Sequence, residues 1–359
     1  MDRAFEYVFP AIRGIQAGRE FYVSMCPLRL LPKLFLFNEA ELVPELRAQR
    51  QLNRARLPDI ARYIASNRDS YVFSAITASL DGDVRFDAAS NGDDLGVLHV
   101  PMKARFIIND GQHRRAAIEM ALQESPELAD ESIAVVFFMD RGLGRCQQMF
   151  ADLNRYAIRP SRSLSVLYDH RDEKALLAKL VVERLPEIKP LIELERSSLS
   201  AGSKALFTLS ALCTATGAML ANHELDAKER DELVVSFWQE IYAQFPEWRA
   251  VQQGKMTSGA FRNQYLHAHG VVLHALGRIA GGMLHQRGSW KTKLKGLRKI
   301  DWQRSCPEWE GRAMIGGNVS KSFQNVVLTT NLIKTKLGMK LSPEEQRHED
   351  ALARGHRAA

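Results

Sequence analysis

Asp110-Gly111-Gln112-His113-Arg114-Arg115 is the stretch of this sequence best equipped for chemistry. It is an unbroken polar and glycine run between Ile108 and Ala116. Phe106-Ile107-Ile108 reads as a buried strand that stops at Asn109-Asp110-Gly111 and turns straight into a helix. The first helical turn then carries His113, Arg114 and Arg115. Backbone N–H groups at a helix start, beside guanidinium groups, form an anion site. The expected guest is a phosphate, from a nucleotide or from a nucleic-acid backbone. Gly111 permits a left-handed or close-approach backbone. Asp110 can cap the helix or hold a metal, and Gln112 and His113 can meet a base, a ribose or a phosphate. The bland alternative is an ordinary strand–turn–helix junction with exposed arginines.

Further basic groups could close around the same anion. Arg50, Arg54 and Arg56 precede a helix that starts near Pro58, and Arg155, Arg159 and Arg162 form a second cluster. Each could equally be a solvated basic edge. The strongest basic run is 288–304, with Lys291, Lys293, Lys295, Arg298, Lys299 and Arg304 interleaved with Trp290 and Trp302. Lys291, Lys293 and Lys295 alternate and do not share one helical face. A basic strand or loop against a DNA backbone is therefore expected there, with a solvated helix face anchored by the tryptophans as the alternative.

Other groupings carry less. His267 and His269, two apart, would point to opposite sides of one helix and cannot chelate together; with His274 they read as surface or core histidines. Gly316-Gly317-Asn318-Val319-Ser320-Lys321-Ser322 lacks the glycine that a Walker loop places just before its lysine, and no strand clearly precedes it. It is kept as a DNA-backbone contact. Ser203-Lys204 resembles a Ser–Lys pair in composition only. No Gly-x-Ser-x-Gly and no His-Glu-x-x-His occurs. Cys26, Cys146, Cys213 and Cys306 are far apart, so neither a zinc site nor a disulfide framework is expected, and no metal is assigned.

These residues need elements to position them. Residues 1–37 read as short strands, at Phe5–Phe9, Glu20–Met25 and Leu34–Phe37. Residues 39–66 read as helical. Tyr71–Leu80 reads as a strand that Asp81-Gly82-Asp83 turns into a hairpin with Val84–Phe86. Strands follow at Leu95–Val100 and Ala104–Ile108, then the pivotal helix Gly111–Glu124, then a buried strand Ile133–Met139. Leu143–Asn154 is helical, and Ser161 or Ser163 caps the next helix. Strand signals end near residue 165, which places a domain boundary there. Helices are expected at 175–185, 203–220, 228–245, 259–284 and 323–340, and the polar tail from Ser342 is expected to fray. The fold class is α/β (α+β): a mixed-sheet domain over 1–164, then a mainly helical domain over 165–359.

The 359 residues carry 49 Lys and Arg against 42 Asp and Glu, for a net charge of +7. That mild basic bias is compatible with nucleic acid without being diagnostic of it. No apolar run reaches the ~18 residues of a membrane span. The first residues lack a basic region leading into an apolar run, so no secretory leader is expected. The expected setting is a reducing cytoplasm.

With these residues in view, the chain resembles the DndB family of DNA sulfur-modification (phosphorothioation) proteins, which carry a DGQHR domain. The resemblance rests on Gln51-Leu52-Asn53-Arg54, Tyr71-Val72-Phe73-Ser74 with Leu95-Gly96, and Ile108 to Arg114. It continues through Gln148 to Asn154, Leu167 to Asp172, and Trp309-Glu310-Gly311-Arg312-Ala313-Met314. More distantly, Gly111-Gln112-His113-Arg114-Arg115-Ala116-Ala117 is similar to the nucleotide-phosphate turn of the ParB/sulfiredoxin-like fold. Gln112, His113 and Ala116 depart from that pattern. The resemblance implies a DNA-binding repressor of a modification operon, with promoter DNA and other phosphorothioation proteins as partners, and a homo-oligomer without membrane attachment. The rival is a nucleotide-dependent enzyme, an NTPase or nuclease using ATP or CTP, centred on Asp110, Gln112, His113 and Arg114. A third reading is a scaffold for the modification proteins.

Overall fold

The computed structural model describes residues 5–35, 53–139, 148–149, 151–153, 160–200, 202–220, 225–283 and 290–358. The chain divides into two compact units, Met1–Ile158 and Arg159–Ala359. The division falls ahead of the expected residue 164, so the helix that follows Ser161 belongs to the second unit.

The first unit is built on a seven-stranded mixed sheet of order β4-β5-β1-β2-β7-β3-β6. Its strands are β1 (Glu6–Gln16), β2 (Arg19–Pro27), β3 (Ile76–Asp81), β4 (Arg85–Ala88), β5 (Leu95–Pro101), β6 (Arg105–Asp110) and β7 (Ser132–Met139). β1 and β2 form a hairpin whose turn, Ala17-Gly18, takes positive φ at both residues, as a tight turn between twisted strands requires. β3 runs parallel to β7, while the other pairs are antiparallel. One face of the sheet carries Phe9, Tyr22, Ile76, Leu80, Leu98 and Phe137 into the core. Ile64 and Ile118 meet them from the helices α2 (Leu57–Ser66) and α3 (Gln112–Glu124).

Three expectations are corrected here. Leu34 does not start a strand: Leu31–Leu34 is a short helix, α1, with Leu31 and Leu34 buried. Residues 71–75 lie outside β3. β4 forms no hairpin with β3 but pairs with β5, Arg85 opposite His99. Local turn chemistry named the turn, whereas the pairing places Phe86 opposite buried Leu98 of β5, on the face that also carries Tyr22. The expected helix over 143–154 is described only at 148–149 and 151–153, where it is helical. Met149 there receives a hydrogen bond from buried Asn109.

The second unit is mainly helical. Its helices are α4 (Arg162–Tyr168), α5 (Glu173–Arg184), α6 (Leu209–Met219), α7 (Ala227–Gln244), α8 (Pro246–Gln252), α9 (Ser258–Gln264), α10 (Gly270–Met283), α11 (Trp290–Leu294), α12 (Phe323–Lys336) and α13 (Pro343–Ala358). Side-chain caps start most of the long ones: Asp172, Thr208, Asp226 and Ser322 each accept a backbone N–H of the first turn. Ser161 caps α4. The core gathers Trp238, Phe245, Trp248, Phe261, Trp302 and Trp309.

The expected helix over 203–220 begins only at Leu209, because Phe207-Thr208 pairs with Ile192-Glu193 as a short parallel bridge. The expected helix over 259–284 breaks between α9 and α10. There Tyr265 bridges to Gln303 and Leu266 donates to the Trp302 carbonyl at 2.8 Å. The polar tail does not fray at Ser342. It forms α13, tied down by a bidentate Arg312–Glu349 pair at 2.7 Å and by Lys334–Glu345 at 2.5 Å. Sequence polarity alone hid these anchors, which lie on α12 and in the loop before it. Among the described residues no helix is long and apolar enough to cross a membrane.

Candidate functional site

β6 delivers Asp110 to the end of the sheet, and Gly111 makes the corner into α3. Gly111 has φ +106°, a conformation L side chains rarely adopt. A Cβ there would also stand 3.0 Å from Ile76 Cγ1 and 3.0 Å from Arg114 Nη2. Only glycine fits, and glycine has no side chain with which to cap α3. Among the described residues no side chain caps the start of α3.

The side chains of the hexad divide by what they touch. The Arg114 guanidinium pairs with Asp110 at 2.7 Å and donates to the Ser74 hydroxyl, while its buried Nε has no acceptor among the described residues. It is held rigidly, with its charge partly met. Arg115 turns inward. Its side chain is 6% exposed, pairs with Glu119 at 2.6 Å and reaches the Pro32 carbonyl of α1 at 3.3 Å. The structure thus separates two arginines that read as twins: Arg114 lies at the corner, and Arg115 clips α3 to α1.

His113 Nε2 accepts the backbone N–H of Asn53 at 3.0 Å, which leaves Nδ1 to carry the ring proton. Burial, followed by the nearby Arg56 charge, holds its pKa below the ordinary histidine value against the opposing pull of Asp110. His113 is neutral at neutral pH. Its bond to Asn53 brings the turn Arg54–Arg56, which leads into α2, beside the start of α3. Arg54 and Arg56 are both exposed, and neither forms an ion pair among the described residues. Gln112 opens α3, half-buried.

Asp110, Gly111, Gln112, His113, Arg114 and Arg56 are thus brought together, with Arg54 one turn away. Arg50, Arg155 and Arg159 lie outside the described residues. Arg162 is exposed in the first turn of α4, within the second unit. Sequence reasoning did not assign roles to Asn53 and Ser74, the polar groups that fix His113 and Arg114. The signal was present, since both lie in stretches that carry the family resemblance, Gln51–Arg54 and Tyr71–Ser74.

Over 290–299 the basic run is helical, not the expected strand or loop, and 300–304 is irregular. α11 passes into a tight 3₁₀ turn over Lys295–Lys299. Leu294, Leu297 and Ile300 point inward, at spacings of three. Lys291, Lys295, Arg298 and Lys299 are exposed, while Lys293 is half-buried. The alternating lysines misled because a helix carries them at different degrees of exposure, Lys291 and Lys295 exposed and Lys293 half-buried. Lys291 stacks over Trp290, and Arg298 donates to the Ala243 carbonyl at 2.9 Å. The tryptophans anchor this segment: Trp302 is buried in the core and Trp290 packs against it.

The family model described as DndB, DNA-sulfur modification-associated, matches residues 9–340. This chain belongs to the DndB family. The match runs through both units and includes the hexad, Asn53, Ser74 and the 288–304 run. The family places the chain with DNA sulfur modification. No curated protein and no solved structure matches it.

Proposed function

We propose that this chain is a DNA-binding regulator, a repressor of a phosphorothioation operon, and that the corner at Asp110–Arg114 together with Arg54 and Arg56 grips the DNA backbone. The observation that carries this reading is the uncapped start of α3 beside exposed Arg54 and Arg56, fixed there by the Asn53–His113 bond. A helix start without a side-chain cap and exposed guanidiniums suit a phosphate diester that arrives from outside. Arg114 contributes as a donor already oriented by Asp110 and Ser74. In the second unit Arg162, Lys291, Lys295, Arg298 and Lys299 offer further phosphate contacts, and Lys293 supports them. Phosphate contacts position a protein on DNA without reading sequence. A repressor of a palindromic operator would act as a homodimer.

The rival places ATP or CTP at the same corner and uses Asp110, Gln112 and His113 in hydrolysis. The two readings part in one experiment. The chain is titrated with promoter DNA of the modification operon at several salt concentrations, with and without nucleotide. The regulator reading expects a mobility shift without nucleotide and a steep fall of log affinity with log salt. Nucleotide-dependent binding, with phosphate release that vanishes in Arg114→Ala, would replace it with the enzyme reading.

A further inference from the structure

The second unit contains a cavity of about 430 Å³, distinct from the corner at Asp110. It opens between the loop of residues 197–200, the Phe207-Thr208 bridge, α9, the start of α10 and Lys321. Its lining includes Arg262, Lys321, Ser197, Ser198, Ser200, Thr208 and Asn263, and no Asp or Glu among the described residues. Leu206 and Phe207 form an apolar side.

The charges in this cavity are arranged against one another. α10 is 14 residues long and begins at Gly270 on the cavity wall. The Lys321 ammonium stands 4.0 Å from where a Gly270 Cβ would be. A cation at a helix N-terminus meets the positive end of the helix dipole. Lys321 is exposed and forms no ion pair among the described residues that would relieve this. Arg262 adds a further charge, donating to the carbonyls of Ser200 at 2.7 Å and Ala205 at 2.6 Å. Burial lowers the pKa of His269 against the raising hydrogen bond to the Arg262 carbonyl, with the Arg304 and Arg262 charges adding to the fall, and burial with the Arg278 and Lys321 charges lowers that of His274. An anion seated between the start of α10 and Lys321 would resolve the conflict.

We infer that this cavity binds a phosphate monoester the size of a mononucleotide, with the phosphate between Lys321 and the first turn of α10 and the organic part against Leu206 and Phe207. The volume lies in the range of small-ligand pockets and exceeds what inorganic phosphate needs. The segment Gly316–Ser322, which is no Walker loop, then acts by carrying Lys321 to the cavity. The cavity lies wholly within the second unit, and its occupant is independent of what sits at the Asp110–Arg114 corner.

The test is calorimetric titration of the full chain with AMP, CMP, adenosine, inorganic phosphate and a 5′-phosphorylated oligonucleotide. A 5′-mononucleotide should bind, with adenosine at least about tenfold weaker, as expected where the charged phosphate is the anchor. Lys321→Met should weaken binding by at least about tenfold, Lys321→Arg should restore it, and Arg114→Ala should leave it unchanged. Lys321 is exposed, so its variants fold. Lys321-dependent binding of the oligonucleotide but not of AMP would assign the phosphate to a DNA strand end. The inference is overturned if no phosphate compound binds below millimolar concentration, if Lys321→Met binds as the parent does, or if binding is lost in Arg114→Ala instead.

Discussion

Replacing Arg115 by alanine separates architecture from recognition within the hexad. The side chain is 6% exposed and clips α3 to α1 through Glu119 and the Pro32 carbonyl. The Glu119 carboxylate is 40% exposed, so solvent screens that pair and its loss costs about 1 kcal/mol. Leaving the Pro32 carbonyl without its donor costs about 1 kcal/mol. Removing the buried arginine stem costs about 1 kcal/mol more in packing. The sum, about 3 kcal/mol, corresponds to roughly a hundredfold faster exchange of α3 amides that open with the unit. It also corresponds to a fall in melting temperature of about 6–12 °C for a unit of this size. Hydrogen exchange of the peptide covering Gln112–Glu124 reads the effect in the first unit alone. DNA affinity of the folded variant should match the parent. The reasoning fails if Arg115→Ala exchanges like the parent while losing DNA affinity as Arg56→Ala does.

Other outcomes follow from the same geometry. Gly277 faces Ala215 so closely that a Cβ would sit 2.0 Å from the Ala215 carbonyl oxygen, so Gly277→Ala should cost about 3 kcal/mol or more by forcing α6 and α10 apart. Gly282, on the same helix, has open space around its missing Cβ, and Gly282→Ala should instead stabilise by about 0.5–1 kcal/mol through helix propensity. Urea midpoints of the two variants check both, and equal midpoints would refute the close crossing. Ser161→Ala should cost about 1 kcal/mol by uncapping α4, read by the same measurement.

Acid should destabilise the second unit through His267. Burial holds its pKa below the ordinary value, against the raising pull of Glu247, among Phe245, Phe261, Tyr265 and Trp302. The unfolded chain takes up a proton near pH 6.5 that the folded chain refuses. This contribution is therefore full above about pH 6.5 and lost as pH falls below it. Urea midpoints at pH 7.5 and 5.5 should differ, and His267→Phe should narrow the gap. An unchanged gap would show that His267 is not the group that titrates.

The sequence made the sheet and the corner legible because their signals are local. Alternating burial in β5, the apolar run of β7, the Asp110-Gly111 stop and Pro58 at the head of α2 each act within a few residues. Strand partners were not legible in the same way. β4 pairs with β5, not with the adjacent β3, and Phe86 there packs on Tyr22 of β2, far away in sequence. The break at Tyr265–His269 and the ordering of α13 likewise depend on distant partners, Gln303 and Trp302 in one case and Arg312 and Lys334 in the other. At the site, residue types pointed to a phosphate as the expected guest. They did not show that Arg115 points inward, because adjacent helical positions differ by about 100° and only packing decides which one faces the core.

The central claim concerns Arg54 and Arg56 beside the uncapped start of α3. Its most direct test is the salt dependence of promoter-DNA binding in the parent and in the double variant Arg54→Ala/Arg56→Ala, followed by fluorescence anisotropy. Two lost phosphate contacts should reduce the magnitude of the slope of log affinity against log salt by about 2 and weaken binding at every sequence alike. A double variant with the parent's slope and affinity would contradict the account.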